Sequence, residues 1–182
     1  MKGIVFTEFL KMVERSFGAE TVECIIVEAN LSSGGAYTSV GTYPHEEMLA
    51  LLACLSVRTG ASVNQLMRIY GKYMFRVLHA QIPASDPVSR SDTFTLMMQI
   101  ESNIHAEVRK LYPDADLPHF EHTRLDQYTL LLKYRSERGM ASFAEGLISG
   151  CIEHFGEPIV LERADSGEHA DCDAIFMLRR VP

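Results

Sequence analysis

YTLLLKYRSERG, residues 128–139, decides how the rest of the chain is read. Tyr128 to Leu132 is an apolar run with strand character, and side chains on a strand alternate between faces. Continued to Gly139, that alternation puts Tyr134, Ser136 and Arg138 on one face. A phenol, a hydroxyl and a guanidinium then form a row of donors at a strand end. Any half-exposed strand shows alternating polar residues. The other reading is an anion clamp, because arginine offers a planar fork to carboxylate or phosphate and two hydroxyls can meet the remaining lone pairs. Upstream, FEHTRL (120–125) reads as a partner strand across a tight turn at Asp126 and Gln127. Downstream, Met140, Phe143, Ala144, Leu147, Ile148, Cys151 and Phe155 recur at helical spacing. IVLERA (159–164) and AIFMLRR (174–180) then form a second hairpin around the turn-rich DSGEHADCD (165–173). This part of the chain predicts a four-stranded antiparallel sheet with one covering helix.

The first 112 residues read as mostly helical. Val5, Phe9, Met12, Val13 and Phe17 lie at helical spacing. A Gly/Ser-rich loop, NLSSGGAYTSVGTYP (30–44), follows. Pro44 and the pair Glu46 and Glu47 suit a helix start, since negative charge is favourable in a first turn. Ser62 and Gln65 have capping-box spacing. Val63, Leu66, Met67, Tyr70, Met74 and Val77 form the stripe of the helix they open. A Pro/Ser-rich loop, QIPASDPVSRSD (81–92), precedes a helix expected from about Thr93 to Tyr112, stopped by Pro113. The fold class is α+β. A helical N-terminal lobe of about residues 1–112 is expected to pack on an α/β lobe of about 113–182.

The chain of 182 residues is 47% hydrophobic and carries a formal charge of -7. With no basic tract it is a poor candidate for nucleic acid, whose binding rests largely on phosphate neutralisation. Glu8 and Lys11 interrupt the N-terminal apolar run, so no signal peptide is read there. LALLACLSV (49–57) is too short to span a bilayer. Scattered cysteines suggest a reducing cytoplasm.

His105 flanks an apolar stripe of Met97, Met98, Ile100, Ile104, Val108 and Leu111. A histidine at a core edge, satisfied by a backbone carbonyl, is one reading. An axial ligand reaching into an apolar cavity is the other, because neutral imidazole is a common metal ligand.

These features together resemble the heme nitric oxide/oxygen binding family, H-NOX. The resemblance runs through MKGIVFTEFL, GGAYTSVGTYP, IYGKYMF, IHAEVRKLYPDADLP, YRSERG and FAEGLISG, nearly the whole chain. It implies heme b, with His105 as proximal iron ligand and Tyr134, Ser136 and Arg138 on the propionates, and the heme between the two lobes. Heme combines an apolar plate with two carboxylates that are costly to bury unpaired. Relatives that hold O2 have a distal tyrosine at the position of Phe143 and polar or tryptophan residues at those of Phe9 and Met74. None of these three is a useful donor here, so the resemblance implies NO and CO binding with poor O2 binding. Ile4, Val5, Leu147 and Pro118 match positions that press on the porphyrin.

Rival readings remain. Cys151 with His154, and His169 with Cys172, have spacings that could serve zinc. A heme-free module of the same fold is another, although His105 and the whole signature are retained. No cysteine sits in a nucleophile elbow or beside a base. The resemblance implies a sensor rather than an enzyme. The chain ends soon after AIFMLRR, which suggests a stand-alone bacterial member with a separate partner. A sensor histidine kinase or a cyclic-di-GMP enzyme is the expected partner class, and NO scavenging is the alternative.

Overall fold

The structure is a computed structural model that describes residues 1–83, 85, 87–113, 115–165 and 171–181. Contacts divide the chain into two compact units, Met1–Tyr70 and Gly71–Pro182.

In the first unit, α1 (Gly3–Phe17), α2 (Ala19–Ala29) and α3 (His45–Thr59) precede α4 (Val63–His79), which runs on into the second unit. The buried stripe of α1 is Phe6, Phe9, Met12 and Val13. Phe17 was expected in that stripe but is exposed, because the last turn points it outward, and Val5 is only half-buried. The capping box at the start of α4 is reciprocal. Ser62 N donates to Gln65 Oε1 at 2.9 Å, and Gln65 N donates to Ser62 Oγ at 3.2 Å.

Loop 30–44 is anchored through Glu47, which is buried in the first turn of α3. Its carboxylate accepts from Ser32 Oγ (2.5 Å), Ser33 N (3.0 Å), Ser33 Oγ (2.6 Å) and Tyr37 OH (2.6 Å). Burial opposes ionisation, but these four donors outweigh it and hold the acid at about 2. Phe6 stacks on Tyr37 with ring centroids 4.4 Å apart, so the same loop is fastened to α1.

The second unit holds the sheet, β1 (His119–Arg124), β2 (Thr129–Arg135), β3 (Ile159–Asp165) and β4 (Asp173–Arg180), in the order β1-β2-β4-β3 and antiparallel throughout. Both expected hairpins are present. The β1–β2 loop takes in Tyr128 as well as Asp126 and Gln127, because Leu125 N donates to Thr129 O and Asp126 Oδ1 accepts from Tyr128 N. The covering helix is α7 (Ala141–Phe155). Its core with the sheet includes Leu130, Leu132, Tyr134, Ala144, Ile148, Cys151, Phe176 and Leu178.

The helix expected from Thr93 to Tyr112 is not continuous. It consists of α5 (Thr93–Met98), a π turn (Ile100–His105) and α6 (Ala106–Leu111). Gln99 O accepts from both Asn103 N (2.9 Å) and Ile104 N (3.3 Å), which widens the helix there. Phe94, Leu96, Met97 and Ile100 join the sheet core, so α5 and the π turn belong with the strands by packing despite being helical. The division between units therefore lies inside α4, whereas the change from helix to strand lies between Leu111 and His119.

Candidate functional site

His105 closes the π turn and is 9% exposed. Its partner is a carboxylate on the same helix, not the backbone carbonyl that one reading expected. His105 Nδ1 lies 3.0 Å from Glu101 Oε1. Glu101 Oε1 also accepts from Phe120 N in β1 at 2.9 Å, and Arg109 Nη2 donates to Oε2 at 3.3 Å. Burial opposes ionisation of Glu101, yet these donors hold its pKa below the usual carboxylate range. An ionised carboxylate only accepts, so Nδ1 must carry the proton. Burial pushes the imidazole below its ordinary value, against the pull of Glu101, and the ring is neutral at pH 7. The Nε2 lone pair then makes no hydrogen bond among the described residues. A neutral imidazole with Nδ1 tied to a carboxylate is how metal-binding histidines are commonly oriented.

Phe120 connects this histidine to the clamp. Its ring centroid is 6.0 Å from that of His105 and 5.3 Å from that of Tyr134. Phe120 and Tyr134 are cross-strand partners, and Tyr134 pairs onward with Ala174. Tyr134 is buried on the core face, and burial pushes its phenol up to about 12, so it is a neutral donor.

Strand alternation does not carry the rest of the clamp. β2 ends at Arg135, so Ser136 and Arg138 stand in the following turn rather than on a strand face. Ser136 N still bonds Cys172 O at 2.8 Å, after which the chain leaves the ladder, and Gly139 takes φ +61. That positive φ is readily available to glycine. Ser136 Oγ accepts from Arg138 N at 3.3 Å. The Arg138 side chain is 14% exposed and bonds both the backbone oxygen of Asp116 and its carboxylate, the latter at 2.7 Å. Asp116 is 81% exposed at its side chain, so this pair is a surface carboxylate on a well-covered guanidinium. Pairs with an exposed partner are weak.

The other expected residues are distributed as follows. Met74 is buried on the Gly71–His79 part of α4, Phe143 and Leu147 are half-buried on α7, and Pro118 is half-buried just before β1. Ile4, Val5 and Phe9 are on α1 in the first unit. The zinc quartet does not assemble among the described residues. Cys151 is buried in the core, and burial pushes its thiol up to about 12. His154 is exposed and packs against His79, with ring centroids 4.1 Å apart. His169 lies outside the described residues. No three His, Cys, Asp or Glu side chains converge on a metal-sized site among the described residues, and all four cysteines are free.

Sequence reasoning missed Glu101, Phe120 and Asp116. Glu101 had a signal, because residues four apart on a helix share a face. Phe120 and Asp116 had none without the sheet register and the turn.

Comparison with known proteins shows what the chain as a whole is similar to. The haem-NO-binding family profile matches residues 2–163. The unliganded Fe(II) H-NOX protein from K. algicida is 38% identical, with 100% of this chain and 97% of that one covered and a TM-score of 0.92. The IWP-051-bound H-NOX from Shewanella woodyi, solved in the Fe(II)CO state, is 40% identical over 100% of this chain and 95% of that one, with a TM-score of 0.83. Soluble guanylate cyclase 89Db of Drosophila melanogaster is 27% identical over 160 residues, which is 85% of this chain and 23% of the fly protein. The chain thus spans about a quarter of that curated relative. It belongs to the haem-NO-binding, or H-NOX, family, a family of heme-based gas-sensor domains.

Proposed function

We propose that the protein senses NO through ferrous heme b, binds CO as well and O2 poorly, and reports its state to a separate protein rather than catalysing a reaction. The observation that supports this most is His105, neutral, buried and oriented by Glu101 with Nε2 left for a metal. Heme would supply a ferrous iron able to bind a diatomic gas. His105 Nε2 would hold that iron, and Tyr134, Ser136 and Arg138 would hold the propionates. Tyr134 offers a neutral hydroxyl and Arg138 a covered cation, which suits carboxylates leaving water. Met74, Phe143, Leu147, Pro118, Ile4, Val5 and Phe9 would contact the porphyrin or the gas. Phe9, Met74 and Phe143 offer no hydrogen-bond donor, so they would give O2 at the iron no hydrogen bond.

Glu101 ties the Nδ1 side of His105 to the backbone of β1, so displacement of the histidine acts directly on the sheet. The π turn is the irregular part of that helix and the place where it can change register, as π turns at functional sites commonly suggest. Ligand-biased equilibrium between two such arrangements is what a partner can read. A sensor histidine kinase or a cyclic-di-GMP enzyme in the cytoplasm is the partner class proposed.

The purified protein should be red with a strong Soret band. Its ferrous spectrum should shift with NO and CO and stay unchanged, apart from slow oxidation, in air-saturated buffer. His105→Gly should lose most of its heme and regain it with added imidazole. A colourless protein, or a His105→Gly variant with full heme and an unaltered ferrous spectrum, would overturn the assignment. Titrating kinases and cyclic-di-GMP enzymes with the two ferrous forms tests the output, and identical responses would favour NO scavenging instead.

A further inference from the structure

The turn that bears Ser136 and Arg138 is held at both ends by two consecutive residues far along the chain. At its start, Ser136 N donates to Cys172 O at 2.8 Å. At its end, Ala141 N donates to Asp171 O at 3.0 Å, and the Asp171 carboxylate caps α7. Asp171 Oδ1 accepts from Ser142 N at 3.2 Å and from Ser142 Oγ at 2.9 Å. Ser142 is fully buried. A carboxylate on the free N–H groups of a helix start is favourable both as a cap and toward the helix dipole.

Asp171 is itself fixed by Arg163 of β3. Arg163 Nη2 lies 2.6 Å from Asp171 Oδ1, and Nη1 donates to Ser142 Oγ at 2.8 Å and to Glu145 Oε2 at 3.3 Å. Asp165 shares the same guanidinium at 2.5 Å. The Arg163 and Asp171 side chains are 12% and 15% exposed, so this pair is more enclosed than that of Arg138 with Asp116. Asp171 takes φ +67, a conformation aspartate and asparagine tolerate better than most residues. Arg163, Asp171 and Ser142 form a brace that fixes where Ser136 and Arg138 stand relative to Tyr134.

We infer that Asp171 and Arg163 are positioning residues for the propionate clamp and set how long heme is retained. This rests on the heme reading above. Neither residue touches the carboxylates in this role. They act through the turn, so their effect must vanish when the clamp side chains are gone.

The experiment measures heme transfer from the ferric protein to a heme-scavenging apoprotein. Asp171→Asn keeps the left-handed backbone and the size of the side chain while removing its charge. Arg163→Lys keeps the charge and removes the fork, and Ser142→Ala removes one link with the least disturbance. Asp171→Asn should speed heme loss about tenfold and shift the propionate bands of the resonance Raman spectrum, with Ser142→Ala showing a smaller change in the same direction. In a Ser136→Ala/Arg138→Ala background, Asp171→Asn should add nothing. A merely structural role would add its full factor there and leave the propionate bands in place, and that result overturns the inference. Unchanged heme loss in Asp171→Asn and Arg163→Lys overturns it as well. If Asp171→Asn does not fold, Ser142→Ala and Arg163→Lys decide it by the same two criteria. A wild-type chain that takes up no heme removes the underlying reading too, whereas a heme-loaded wild type with indifferent variants removes this inference alone.

Discussion

Glu47 and Asp171 each fasten a loop to the start of a helix, and they do it in opposite ways. Glu47 sits on the helix it serves, and loop 30–44 comes to it with Ser32, Ser33 and Tyr37, all neutral donors. Asp171 sits in the loop and reaches α7 from 29 residues beyond Ser142, sharing its charge with Arg163. A carboxylate held by neutral hydroxyls depends wholly on hydrogen bonds for its ionised state. One held by an arginine has a counter-charge as well. The first anchor shapes a loop in the helical unit, while the second shapes the turn that carries the proposed clamp. The difference teaches that a well-covered carboxylate can fasten a loop to a helix start either with neutral donors alone or with a counter-charge as well.

The sharpest way to break that contrast is at Glu47. Glu47→Ala strands Ser32, Ser33 and Tyr37 donors and should cost about 3 kcal/mol of stability at pH 7, since hydrogen bonds to charged groups contribute about 1.5–3 kcal/mol each. Urea unfolding measures it. The folded-state acid is depressed to about 2 from an ordinary 4.5. Its stabilisation is therefore complete above about pH 4.5 and is lost as pH falls toward 2, so wild type and Glu47→Ala should converge over that window. A gap that persists at pH 2.5 would mean the loop is held by packing alone.

Next in size is the clamp. Arg138→Ala should speed heme loss more than Ser136→Ala, because it removes a charged partner worth about 1.5–3 kcal/mol against roughly 0.5–1.5 for a neutral bond. Ser136 also accepts from Arg138 N, so its own variant loosens the turn as well as removing a hydroxyl. Equal heme-transfer rates for the two would place the carboxylates in solvent and cancel the distinction between the anchors.

The smallest effect is expected at the capping box. Ser62→Ala should cost about 1 kcal/mol, as N-cap losses do, and leave heme retention unchanged. A thermal melt beside a heme-transfer assay checks both. A heme effect here would show that any helix start, and not only the one braced by Asp171, governs retention.

These three anchors also grade what could be read in advance. Ser62 and Gln65 are three residues apart, and their spacing alone predicted the reciprocal bonds. Glu47 was legible as part of a helix start but not as the centre of a loop, since its donors lie ten to fifteen residues upstream. Asp171 and Arg163 carried no signal at all. In the site, His105 stood out by its place beside an apolar stripe and by resemblance, while its carboxylate partner was overlooked. Tyr134 was placed correctly by alternation. Ser136 and Arg138 were not, because β2 ends at Arg135 and, after the bond of Ser136 N to Cys172 O, the chain turns to begin α7.

The sequence by itself determined most of the helices, the two hairpins and the covering helix, because hydrophobic period and caps act within a few residues and need no knowledge of the rest of the chain; the family was read from the resemblance of longer motifs. Tertiary structure alone decided that α5 and the π turn belong to the sheet core, that Glu101 bridges His105 to β1, and that Asp171 and Cys172 bracket the clamp turn. Those contacts join charged and polar groups across strands and helices that meet only after the core has closed. A buried polar group must find a partner, but which partner it finds is fixed by where the apolar packing sets the backbone.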